Sequence, residues 1–243
     1  MKMENALSIK NLMKRRGSFC LDDVSFDVPL GNIVGLVGKN GAGKTTTLNL
    51  VQNIILKDGG EVLFFGEAST TKLPHNVAVV ADEIFYEKGW KISELNKIAQ
   101  RFYANWNQSE FDKLLAKFEL DKSKAISQLS KGMSIKLMVA VALSHGTRLL
   151  ILDEPTSGLD PIARDELCNI LLDFVSCGTK AVLFSTHITS DLEKVANRIA
   201  FLIEGKLRLD AKKDDIIAEF SNEKLQTLDD IIIHLHERER VSS

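Results

Sequence analysis

Lys44 and Thr45 close the stretch GKNGAGKT, from Gly38 to Thr45. Glycine, four residues, then Gly43, Lys44 and Thr45 is the spacing with which a loop wraps phosphate groups. Gly38, Gly41 and Gly43 let the chain turn tightly, so the N–H groups from Lys39 through Asn40 and Ala42 converge on one anion. The positive end of the following helix, entered through Thr46, points at the same place. Lys44 then reaches the terminal phosphates and the Thr45 hydroxyl suits magnesium. Hydrolysis of a cradled phosphate also needs a carboxylate at the end of a neighbouring apolar strand. LLILDEP supplies it: Asp153 holds the metal through water, and Glu154 polarises the attacking water. His187 closes another apolar strand, AVLFSTH, from which it donates a hydrogen bond to the terminal phosphate.

A second anion site is written in QLSKGMSIKLMVAVAL. Ser130 is a good helix N-cap, and the capped end of a helix attracts negative charge. One chain does not easily aim both its glycine loop and this helix at the same ligand, so the second site invites a partner. SGLD, Ser157 to Asp160, lies at that seam. His234 and His236 are two apart on a helix and face different ways, which argues against a metal pair and assigns them to a solvated surface.

The elements that must position these residues follow from apolar spacing. Ile33, Val34, Leu36 and Val37 predict a strand before the glycines, and Thr46 to Ile55 a helix after them. From Leu7 to about Val80 short alternating strands surround the loop; from Ile84 to Ser144 apolar residues recur three and four apart, as in helices. Strands return in RLLILDEP and AVLFSTH, separated by the helix ARDELCNILLDFV. The hairpin RIAFLIEGKLRLD turns at Glu204 and Gly205 before a helical tail. The expected fold is α/β: a mostly parallel nucleotide-binding sheet, an antiparallel β flank and an inserted helical part. The expected organisation is a single domain over 1–243, containing a helical subdomain at 84–146 and a helical tail at 210–243.

Composition bounds the partners. With 243 residues and 44% hydrophobic content the chain builds a real core. A net charge of -2 with interspersed signs gives no footprint for nucleic acid. The longest apolar run, Leu137 to Leu143, falls far short of the roughly 18 residues a bilayer requires. MKMENALSIK lacks the apolar stretch of a secretory signal, which predicts a cytoplasmic location. Cys20, Cys168 and Cys177 show no metal-type spacing and read as buried or inert thiols.

Taken together, GKNGAGKT, LSKGM, LILDEP, SGLD and STH, in that order between about Leu7 and Leu209, resemble the ATP-binding subunit of ABC transporters, a family with the P-loop NTPase core. The resemblance implies ATP and Mg2+ as ligands and separately encoded transmembrane subunits as partners. It also implies a head-to-tail pair of ATP-binding subunits, identical or related, on the inner face of the membrane. Each ATP then sits between one chain's Lys44 and the other's Ser130, Lys131 and Gly132, with Asp160 nearby. The segment from Phe102 to Leu137 resembles bacterial exporter subunits, including those linked to drug or peptide efflux; in the family, membrane subunits dock beside the helical part, near Phe85, Tyr86 and Trp90. Four positions, in three motifs, depart from the family pattern. Lys131 and Met133 replace glycine and glutamine of the signature; Asp82 replaces a magnesium-sensing glutamine and becomes a candidate metal ligand; Arg16, with Phe19 close by, replaces the aromatic that stacks on adenine. A soluble relative acting on ribosomes or DNA is the alternative, though such proteins carry tandem units or long coiled coils. A small-molecule kinase has no use for the signature.

Overall fold

The computed structural model describes residues 4–69, 71–220, 225 and 227–242. The first three residues of the leader reading lie outside them. Strand β1 (Asn5–Arg16) turns through Gly17 into β2 (Phe19–Pro29), and the two pair antiparallel. Strand β3 (Ile33–Val37) is buried at all five positions, as an unbroken apolar run in a two-sided parallel sheet must be. Helix α1 (Lys44–Val51) follows the glycine loop. It begins and ends earlier than the expected Thr46 to Ile55. Gly43, at φ 112, turns the chain directly into the first helical residue, and Asn53, at φ 56, adopts the left-handed conformation that ends helices.

Strands β4 (Gly59–Phe64), β5 (Glu67–Ala68) and β6 (Val77–Val80) come next. Between β6 and β7 (Leu149–Asp153) lie helices α2 (Ile92–Phe102), α3 (Gln108–Lys117) and α4 (Lys131–Leu143). The remaining order is α5 (Pro161–Val175), β8 (Ala181–Thr186), α6 (Thr189–Val195), β9 (Arg198–Ile203), β10 (Lys206–Lys212), α7 (Lys213–Phe220) and α8 (Leu228–Ser242). Strand β10 runs through Lys212, so the tail's helices begin three residues later than 210. Among the described residues no helix is long and apolar enough to cross a membrane.

Two sheets result. One is antiparallel, in the order β2-β1-β4-β5; the other, β10-β9-β3-β8-β7-β6, is parallel except for β10. Alternate residues of the central strands feed two cores. Val182 and Phe184 of β8 pack with α4 and α5, whereas Ala181 and Leu183 pack with β1, β2 and α1. Burial on both faces therefore fixes the register, because a slip of one residue would exchange the two sets.

The β9–β10 turn falls where the sequence puts it, with Glu204 at φ 47 and Gly205 at φ 80. A Cβ on Gly205 would stand 1.9 Å from the Cys20 carbonyl oxygen of β2. Gly205→Ala should therefore destabilise the chain by about 1–3 kcal/mol, read by denaturant unfolding. An unchanged midpoint contradicts the close approach.

Candidate active site

Parallel pairing brings the chemistry to one edge of the sheet. Val37 of β3 lies opposite Thr186 of β8, Ser185 opposite Asp153 of β7, and Leu152 opposite Val80 of β6. Gly38, His187, Glu154 and Asp82 thus leave the sheet from the same C-terminal edge, where ligands of open α/β sheets bind. There they meet a cavity of about 570 Å³ lined by Lys39, Asn40, Gly41, Gly43, Lys44, Thr45, Thr46, Asp82, Glu154, Ser157 and His187. Arg16 and Phe19, on the antiparallel flank, line it too.

Lys44 is only 5% exposed; its ammonium donates to the Gly38 carbonyl at 2.7 Å and lies 3.2 Å from Glu154 Oε1. The other carboxylate oxygen, Oε2, is 2.8 Å from His187 Nδ1. An ionised carboxylate only accepts, so Nδ1 carries the proton and, in the neutral ring, Nε2 is left as an acceptor. Glu154 holds this bridge from a backbone at φ 49, uncommon for a residue with a side chain, while its N–H donates to the Ser185 carbonyl at 2.9 Å. Strain of that kind persists where the surroundings over-determine it. Gly38 and Gly43 are needed for closeness: a Cβ would meet the Leu202 carbonyl oxygen at 2.6 Å or Phe19 Cζ at 3.0 Å.

Asp153 is arranged differently. Its Oδ1 is buried without a hydrogen-bond partner. Burial pushes the Asp153 carboxyl above its ordinary value of 3.8, only partly offset by the Ser185 and Thr45 hydroxyls. An orphaned carboxylate oxygen beside Thr45 fits a small hard cation, which takes one or two carboxylates, phosphate oxygens and waters. Without a cation the charge is a burden. Asp153→Asn should raise the stability of the nucleotide-free chain by on the order of 1 kcal/mol. With the folded carboxyl lifted above its unfolded value, the native wild type holds a proton longer, so its stability falls as pH rises from 3.8 through the folded value. The gain from Asn should accordingly vanish at lower pH; thermal melts across that range check the sign.

A protein-family model described as ABC transporter matches residues 21–157, which carry the glycine loop, the Ser130 helix and the acidic strand. The chain belongs to the ABC transporter family. It is the ATP-binding subunit: it binds ATP, hydrolyses it and powers transport through membrane partners. The ATP-binding protein YtrB of Bacillus subtilis (strain 168) is 31% identical over 227 residues, covering 92% of this chain and 77% of YtrB. The lantibiotic transport ATP-binding protein SrtF of Streptococcus pyogenes is 33% identical over 211 residues, covering 86% of this chain and 91% of SrtF. A solved ATP-binding subunit of an ABC transporter superposes with a TM-score of 0.84 at 26% identity, over 95% of this chain and 99% of that one.

Other predicted residues of this ATPase stay out of the cavity. Ser130 caps α4, its hydroxyl accepting from the Met133 N–H at 3.2 Å. Gly132 leaves room for Leu159, whose Cδ2 would lie 3.4 Å from an added Cβ. Asp160 caps α5, accepting from the Ile162 and Ala163 N–H groups at 3.0 Å, which holds its carboxyl below the usual range. None of the three lines the cavity, nor does Lys131. Asp82 does, but its carboxylate is held by Lys131 at 2.5 Å.

One assignment is corrected in part: His234 and His236 are half-buried rather than fully solvated. Ile231 and Ile232 seat α8 on the core, which turns His234 edge-on to Phe220 and brings His236 into a small cavity behind the glycine loop with Lys39 and Ala42. Of the cysteines, Cys168 is buried and burial pushes its thiol up to about 11; Cys20 is half-buried and Cys177 exposed. Ser185 is the residue that sequence reasoning passed over. Only strand register sets it opposite Asp153.

On the helical side a groove of about 670 Å³ runs between Phe85, Tyr86, Phe102, Tyr103 and Met138. Phe85 and Phe102 are 66% and 77% exposed. Trp90 stands apart, packed on the core, its carbonyl accepting from the Ile126 N–H.

Proposed function

We propose that this ATPase powers export and works as a head-to-tail pair, each ATP held between one chain's glycine loop and the other chain's Ser130 helix. One division of residues supports the reading: Lys44, Glu154 and His187 converge in a single chain, while Ser130, Lys131, Gly132 and Asp160 sit outside that cavity. A capped helix end open to an anion is then completed by a second copy or a related chain.

In this reading the backbone from Gly38 to Thr46 and the Lys44 ammonium take the phosphates, with Asp153 and Thr45 holding Mg2+. When bound, the cation withdraws charge from the phosphate oxygens. Asp82 is the remaining metal candidate once Lys131 releases it. Glu154 accepts a hydrogen bond from the attacking water; His187 orients Glu154 through its Nδ1–H, and that N–H passes to the terminal phosphate when the carboxylate turns to the water. Arg16 stacks its guanidinium on the base with Phe19 beside it. The groove at Phe85 and Tyr86, apart from Trp90, receives the membrane subunits on the inner face of the membrane. Export is favoured by the likeness to a lantibiotic transport protein.

With MgATP, Glu154→Gln should shift the chain from one copy to two in light scattering. Affinity purification from gently solubilised membranes should recover a membrane-spanning protein. Recovery of ribosomes in its place, or a chain that stays single while saturated, overturns the reading.

A further inference from the structure

Two of the residues that depart from the family pattern meet each other. Lys131 Nζ lies 2.5 Å from Asp82 Oδ1, although one opens α4 and the other lines the nucleotide cavity after β6. The lysine reaches across Gly158 of SGLD, where a Cβ would lie 3.6 Å from Lys131 Cδ and 3.8 Å from Nζ. Those are ordinary van der Waals distances, so the lysine packs along the SGLD turn, which Gly158 makes at φ 74.

We propose that Asp82 is a positioning residue which catches Lys131 on its own chain and so regulates closure of the pair. The proposal rests on the reading that the Ser130 end of α4 meets the partner's nucleotide. A cation in the first turn of a helix opposes the dipole, and Asp82 neutralises it while no phosphate is present. A triphosphate brought by the partner carries more charge than a single carboxylate and takes the ammonium; a diphosphate competes less well. MgATP in the chain's own cavity acts in the same direction, because its cation competes with Lys131 for the Asp82 carboxylate. Both nucleotides therefore bias one catch. Side-chain exposures of 51% and 40% keep the pair weak, as a contact released in every cycle must be.

The test is a double-mutant cycle in the Glu154→Gln background at saturating MgATP, where changes in nucleotide affinity no longer matter. Asp82→Asn should tighten the dimer about two- to five-fold, and the gain should disappear when Lys131→Met is also present. An equal gain in both backgrounds, or none in the first, overturns the catch alone. Absence of any dimer in every variant overturns the reading of α4 together with the catch.

Discussion

Glu154→Gln should cut ATP turnover by about 10²-fold or more while leaving ATP binding intact. Glu154 is the carboxylate that reaches both Lys44, at 3.2 Å, and His187, at 2.8 Å. An amide of the same shape keeps the cavity but is a poor proton acceptor, so a water above the terminal phosphate loses its base. Binding should not weaken, and should tighten if anything, because Lys44 no longer has a carboxylate competing with the phosphates. Phosphate release and equilibrium titration with a fluorescent ATP analogue separate the two effects. Turnover at the wild-type rate removes Glu154 from the chemistry.

Lys44→Ala should fail at the earlier step. This ammonium is buried at 5% exposure and fixed by the Gly38 carbonyl, so it is oriented before any phosphate arrives. Removing one partner of a buried charge contact costs about 2–5 kcal/mol, or roughly 30-fold to several thousand-fold in affinity. Glu154 then faces the triphosphate with no cation between them, which adds to the loss. Calorimetric titration with ATP measures it, and an affinity within a few-fold of wild type contradicts the assignment. The two variants therefore differ in kind: one binds without turning over, the other scarcely binds.

Much of the site was legible because its chemistry is local. Gly38 to Thr46 is one continuous loop and helix start, and Asp153 with Glu154 ends an apolar run that has no other way to be buried than as an inner strand. Caps are equally local: Ser130 and Asp160 bond N–H groups two or three residues on. The end of α1 was misread because an apolar pattern continues through Ile55, while the left-handed Asn53 breaks it. His234 and His236 were misplaced because helical spacing gives the angle between two side chains but not which neighbours the helix packs against.

The order of glycines, lysine, carboxylates and caps along the chain was enough, by itself, to mark a phosphate site and a resemblance to the ABC family, since each motif folds from neighbours in sequence. Only the tertiary structure decided that Ser185 faces Asp153, that Glu154 ties Lys44 to His187, and that Asp82 and Lys131 pair. Those contacts join segments separated by whole strands and helices. Their distances depend on sheet register and on the seating of α4, which are set by burial on two faces at once and are not encoded in any single stretch.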